Sequence, residues 1–166
     1  MPTELNLRFP DADHVIVRFA DDESAALPFT NPRTDQDHRD IAWYVEMYGA
    51  HSLGDPDDND AARIAGQLPV WGKSLFDAVF HDRETARLFN RFQDAEDDTR
   101  LLTITAEHPT ILALPWELLH DSSAQDNTFL FHEHPRISIR RRIAGKGGLQ
   151  DFRIAVAATD ADSVVA

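Results

Sequence analysis

The chain has 166 residues, 42% of them hydrophobic and 27% charged, with 16 basic against 29 acidic side chains and a formal charge of −13. That balance excludes a general nucleic-acid or anionic-membrane binder, which needs a basic face, and the absence of cysteine excludes disulfides, thiolate zinc sites and a cysteine nucleophile. No apolar run approaches the roughly 18 residues of a membrane span, and MPTELNLRF is not a signal peptide, so a single soluble, cytoplasmic domain is expected.

Leu5, Leu7 and Phe9 alternate, PDAD turns the chain, and Val15, Val17 and Phe19 repeat the period, which predicts two strands joined by a turn. TDQD at 34–37 supplies helix caps. Ile41, Tyr44, Val45 and Tyr48 then follow i, i+3, i+4, i+7, one face of a helix. Gly49 and GDPDDND at 54–60 break it. A second helix runs from about Asp60 through Ile64 and Leu68, and Pro69 either kinks it or opens a third. Trp71, Leu75, Phe76, Val79 and Phe80 form an apolar stripe, and a further helix carries Leu88, Phe89 and Phe92.

Strand patterns return at RLLTITA (100–106), which reads as buried on both faces. A helical turn at LPWELLH follows, then strand candidates at 129–131 and 136–143, the link GKGG, and a buried-type strand FRIAVAAT at 152–159. Strands 1–33, a helical region 34–98 and a sheet core 99–160 make an α/β layer arrangement. A parallel strand ending near Thr159 would ordinarily be followed by a covering helix and another strand. The chain therefore reads as cut short or completed by another chain.

Most candidate chemistry has a simpler account. GKGG lacks the spacing of a phosphate loop. His132 and His134 would share a strand face, but no dense ligand set supports a metal site. Ser74 reads as a helix residue, and His120, Asp121 and Ser122 are adjacent in sequence, whereas triads are assembled from distant segments. Asp55–Asp60 lacks the pattern of a calcium loop. In the run Arg140–Arg142, alternation sends Arg141 to one face and its neighbours to the other. An arginine drawn inward must be paired, and Glu117 is the nearest candidate in sequence. No catalytic residue, metal or cofactor is assigned.

LALPWELLHD at 112–121 is the most specific stretch. Pro115 suits the first turn of a helix, Glu117 suits its positive end, and Trp116 and Leu119 can share a core face. Taken in order, RLLTITA, LPWELLHD, NTFLFHEHP and ISIRRRI resemble the start of the CHAT domain, a caspase-like family often attached to TPR repeats. IAWYVEMYG and LPVWGKSLFDAVF resemble its upstream helical region. Leu114, Pro115, Trp116, Glu117, Leu118, Leu119 and Asp121 match the family motif, and Arg141 matches its strand arginine. Arg140 stands where an apolar residue is more usual.

The resemblance implies a caspase-like three-layer α/β sandwich, incomplete here, with a mixed, mainly parallel sheet, flanking helices and an N-terminal β-hairpin. It implies the non-catalytic N-terminal portion, since the family's histidine and cysteine lie further along. No activity is expected of this chain, although a longer parent would be a candidate cysteine peptidase in bacterial signalling or defence. Expected partners are proteins: the catalytic half, a TPR or other effector region, or a second copy through a sheet edge. Trp43, Tyr44 and Trp71 would serve the core or such an interface, the core being the commoner place for aromatics at helical spacing. The alternatives are a self-standing interaction module and, more weakly, a metal- or serine-dependent hydrolase.

Overall fold

The computed structural model describes residues 3–48, 58–96, 99–121, 129–130 and 137–145. Within them the chain is α/β, built on an open, mixed sheet in the order β3-β2-β1-β5-β6. β1 (Thr3–Phe9) and β2 (His14–Phe19) form the antiparallel hairpin that their alternation predicts. β3 (Asp22–Glu23) and β4 (Leu27–Pro28) are two-residue strands paired to β2. β1, β5 (Arg100–Ala106) and β6 (Ile137–Ile143) run parallel, with β5 in the middle.

Register decides which side chains share a face. Leu5 and Leu7 align with Leu102 and Ile104 of β5, which align with Ile139 and Arg141 of β6. This apolar face carries the core. It is closed by Leu75, Phe76, Val79 and Phe80 of α2 (Asp58–Phe80) and by Leu88, Phe89 and Phe92 of α3 (Arg83–Gln93). Phe76, Phe80 and Phe89 meet at ring-centroid distances of 4.7–4.9 Å. Each ring withdraws enough apolar surface to contribute about 2–3 kcal/mol.

The helix caps follow from local chemistry. Thr34 caps α1 (Asp35–Ala42): its hydroxyl accepts from the Asp37 amide while the Asp37 carboxylate accepts from the Thr34 amide, a reciprocal box. Asp82 caps α3 by accepting from the Glu84 amide. Of the two alternatives at Pro69, a single helix running through the proline is the one that forms. α2 runs through the proline, which forfeits a backbone bond, while the buried residues from Trp71 to Phe80 hold the turns beyond it.

The apolar face expected from Ile41 to Tyr48 is not continuous. After Ala42 the helix widens into a π-helical segment, Trp43–Met47, whose i→i+5 bonding shifts the angular phase of the residues that follow. Val45 is consequently 67% exposed, and α1 has no buried residue. Phe129 and Leu130 are not in a strand. The Leu130 amide instead donates to the Leu119 carbonyl. Phe131, the HEH segment, most of GKGG and FRIAVAAT lie outside the described residues.

Candidate functional site

The LPWELLHD stretch lies beyond the C-terminal end of β5, reached through α4 (Pro109–Leu112). Pro115 precedes a single 3₁₀ turn, Trp116–Leu118, rather than an α-helix. Trp116 and Leu119 are fully buried and belong to the core. The Trp116 indole packs 5.6 Å from Phe9, and its Nε1 donates 2.8 Å to the Ile111 carbonyl, so the buried donor is satisfied. Leu114, His120 and Asp121 are buried, and Leu118 and Pro115 are half-buried.

Arg141 on β6 ties this turn to the sheet. Its Nε donates to the Leu112 carbonyl at 2.8 Å, and one terminal nitrogen donates to the Leu114 carbonyl at 3.2 Å. Both terminal nitrogens grip the Glu117 carboxylate, at 2.5 and 2.7 Å. The arginine that meets Glu117 is therefore Arg141, in a planar two-point pairing on the face shared with Leu102 and Ile104. The pair is not buried, with the arginine side chain 36% and the glutamate 52% exposed. The guanidinium has spent four contacts on protein acceptors, so it braces the turn and does not present a ligand site.

Arg140 and Arg142 point to the opposite face. Arg140 donates to Glu4 at 2.7 Å and to the Thr103 hydroxyl at 3.2 Å. The sequence reading missed Glu4, although its place one residue out of phase with Leu5 marked it as facing away from the core.

From the other side, α2 presses onto the same turn at Gly72. A Cβ built there would lie 1.7 Å from the Leu118 carbonyl oxygen and 3.2 Å from the His120 Cβ. Only a hydrogen fits between helix and turn. Trp71 is buried but stands outside the main core cluster, with the Arg33 guanidinium 5.1 Å above its ring. Arg33 is itself buried, and its guanidinium nitrogens have no hydrogen-bond partner among the described residues, with burial lowering its pKa and Asp37 opposing that shift. Trp43 and Tyr44 are half-buried and pack on Tyr48 at 5.7 and 5.8 Å, a satellite cluster away from the sheet rather than part of its core.

Of the two serine-based candidates, Ser74 forms no hydrolytic arrangement among the described residues, and the other includes a serine outside them. Ser74 spends its hydroxyl on the Val70 carbonyl one turn earlier. The His120 Nδ1 lies 3.2 Å from the Asp121 carbonyl rather than from its carboxylate, and its Nε2 is buried. Ser122 lies outside the described residues. No group of three or more metal-ligating side chains occurs among the described residues, and no described helix is long and apolar enough to cross a membrane.

The brace carries a pH dependence of definite sign. Glu117 is held below its ordinary pKa chiefly by the Arg141 hydrogen bonds, against partial burial that raises it. At Glu4, desolvation raises the pKa, but hydrogen bonds from Thr103 and Arg140 outweigh it and the net shift is downward. A carboxylate depressed in the folded state binds protons first in the unfolded chain, so its stabilisation is present above the ordinary carboxylate range and fades as pH falls through the folded value. The melting temperature is expected to be flat from pH 6 to 8 and to decline below about pH 5. Glu117→Gln makes that decline shallower, as thermal melts at stepped pH will record.

Models of known families, curated proteins and solved structures were each compared with the chain, and none matches it.

Proposed function

We infer that the chain is the non-catalytic N-terminal portion of a CHAT-type, caspase-like protein, supporting or regulating a cysteine-peptidase half carried elsewhere, in bacterial signalling or defence. The observation that carries this reading is the mutual packing of the three segments that bear the resemblance. Gly72 of LPVWGKSLFDAVF lies against Leu118 of LPWELLHD, and Arg141 of ISIRRRI grips Glu117 and the carbonyls before it. Segments separated by tens of residues thus make one structural unit, which gives a physical reason for their joint presence. The chain contains no cysteine, so a thiolate nucleophile must come from outside it.

The experiment is to read the coding sequence downstream of Ala166 and co-express its product with this chain. A histidine- and cysteine-bearing α/β segment that co-purifies with the chain, and whose peptidase activity depends on it, is the expected result. A reading frame without such a segment overturns the reading. It would favour a self-standing interaction module, for which β6 at the end of the described sheet order is the supporting observation.

A further inference from the structure

A helix that belongs to a folded core ordinarily buries one face. α1 and the π-helical segment that extends it do not, since every described side chain from Thr34 to Tyr48 is exposed or only half-buried. A line of polar clasps ties this strap to α2. The Trp71 side chain hydrogen-bonds the Asp37 carboxylate, Arg63 donates to Asp40 at 3.1 Å, and the Tyr48 hydroxyl donates to Asp58 at 2.9 Å. The clasp positions rise along the strap as they fall along α2, so the two run antiparallel. Such contacts hold weakly where water reaches them, and the Arg63 side chain is 53% exposed.

The stretch of α2 between the clasps carries a second apolar face. Ala61, Ile64, Leu68 and Trp71 follow i, i+3, i+7 and i+10. Ala61, Ile64 and Trp71 are buried, yet they stand outside the core cluster that closes the sheet.

Arg33 immediately precedes the Thr34 cap, so it moves with the strap. Its three guanidinium nitrogens are sealed from solvent and make no hydrogen bond among the described residues. A guanidinium stays charged at any ordinary pH, so it cannot shed the cost of burial by losing a proton. Compensation comes from the Trp71 ring, 5.1 Å away, and from the field of Asp37, whose carboxylate is already engaged by Thr34 and Trp71. Burying a charge without hydrogen bonds is unfavourable, and water removes that penalty as soon as the group is exposed. The closed strap alone bears it.

We propose that Thr34–Tyr48 is a strap poised to lift from α2 while the sheet and its core stay folded, and that the buried Arg33 charge is what keeps it poised. Lifting solvates Arg33 and uncovers Ile64 and Trp71, so the second face of α2 is hidden in the closed form and available in the open one. Local openings of this kind draw on elements with few buried side chains and exposed polar contacts. The strap stands independently of the CHAT reading.

The chain has no cysteine, so a single introduced thiol reports on its own position. The test labels the full chain with iodoacetamide in increasing urea, below the unfolding transition. The Ile64→Cys thiol is expected to react about a hundredfold faster than the Leu75→Cys thiol, and with a much weaker urea dependence, because strap opening exposes less surface than global unfolding. Adding Arg33→Met should slow the Ile64→Cys reaction about tenfold, since an apolar side chain of similar length fits the closed form without a buried charge. Adding Asp40→Lys, which sets two cations at the middle clasp, should speed it about threefold. Ala61→Cys repeats the measurement should Ile64→Cys alter the circular dichroism spectrum. Equal rates and equal urea dependence at positions 64 and 75 overturn the proposal, because the face would then open only with the core. So does an Arg33→Met variant that labels as fast as the parent or faster, or an Asp40→Lys variant whose rate is unchanged.

Discussion

Gly72→Ala is expected to destabilise the chain by about 3–5 kcal/mol, the upper end of what single substitutions do, while Gly66→Ala in the same helix stabilises it by about 0.5–1 kcal/mol. The two glycines separate helix propensity from packing. Both lie inside α2, and alanine is the better helix former at each. Around Gly66 an added methyl meets nothing within 4 Å, so only the gain in propensity is felt. At Gly72 the methyl falls 1.7 Å from the Leu118 carbonyl oxygen and 2.8 Å from its carbonyl carbon. Those atoms are backbone and cannot swing aside as a side-chain tip would. Either α2 retreats and opens the packing around Leu75 and Phe76, or the 3₁₀ turn moves and takes Trp116 and the Arg141 brace with it. A loss of this size is a large share of the 5–15 kcal/mol that holds a domain together. Urea titrations followed by circular dichroism should move the midpoints of the two variants in opposite directions. A Gly72→Ala protein as stable as the parent would mean that α2 and the LPWELL turn are not in contact.

That contact shows where sequence reading stops. The alternation of Leu5, Leu7 and Phe9 is a local pattern and names the core face of β1 directly. The caps at Thr34 and Asp82 are equally local, since a side chain bonds an amide two or three residues on. Gly72, by contrast, interrupts an apolar stripe with no local turn to explain it, and its reason is a carbonyl 46 positions later. The π-helical segment at Trp43–Met47 escaped because side-chain periodicity assumes a constant turn angle. The arginine run was half legible. Alternation alone sends Arg141 to one face and Arg140 and Arg142 to the other, but which face holds Glu117 depends on the register of β6 against β5. The polar face of β1 was also in plain sight, since Glu4, Asn6 and Arg8 alternate with the core residues. What alternation cannot supply is that Glu4 meets an arginine 136 positions away.

Arg141→Ala is expected to cost about 2 kcal/mol, and more than Arg140→Ala on the same strand. Arg141 removes three kinds of bond at once: to the Leu112 carbonyl, to the Leu114 carbonyl and to both oxygens of Glu117. Charge-assisted bonds contribute about 1.5–3 kcal/mol each in sheltered settings, but this pair is a third to a half exposed, so solvent screening reduces the total well below the sum. The carbonyls decide the ranking. Leu114 is buried, and an oxygen that loses its donor there is only partly recovered by water. Among the described residues Arg140 hydrogen-bonds only the side chains of Glu4 and Thr103; Glu4 can turn toward solvent, and the buried Thr103 hydroxyl keeps Glu4 as a partner, so the loss of Arg140 should cost about 1 kcal/mol or less. Arg141→Lys keeps the charge but not the planar fork and should recover less than half of the deficit. Glu117→Gln should cost less than Arg141→Ala, because the two carbonyl bonds survive it. A double-mutant cycle on Arg141 and Glu117 should return a coupling of about 1 kcal/mol, with hydrogen exchange accelerated at the amides from Ala113 to Leu119. A null coupling, or an Arg140→Ala variant that loses more than Arg141→Ala, would place the brace on the other face of the sheet and detach β6 from the turn that the sequence marks most distinctly.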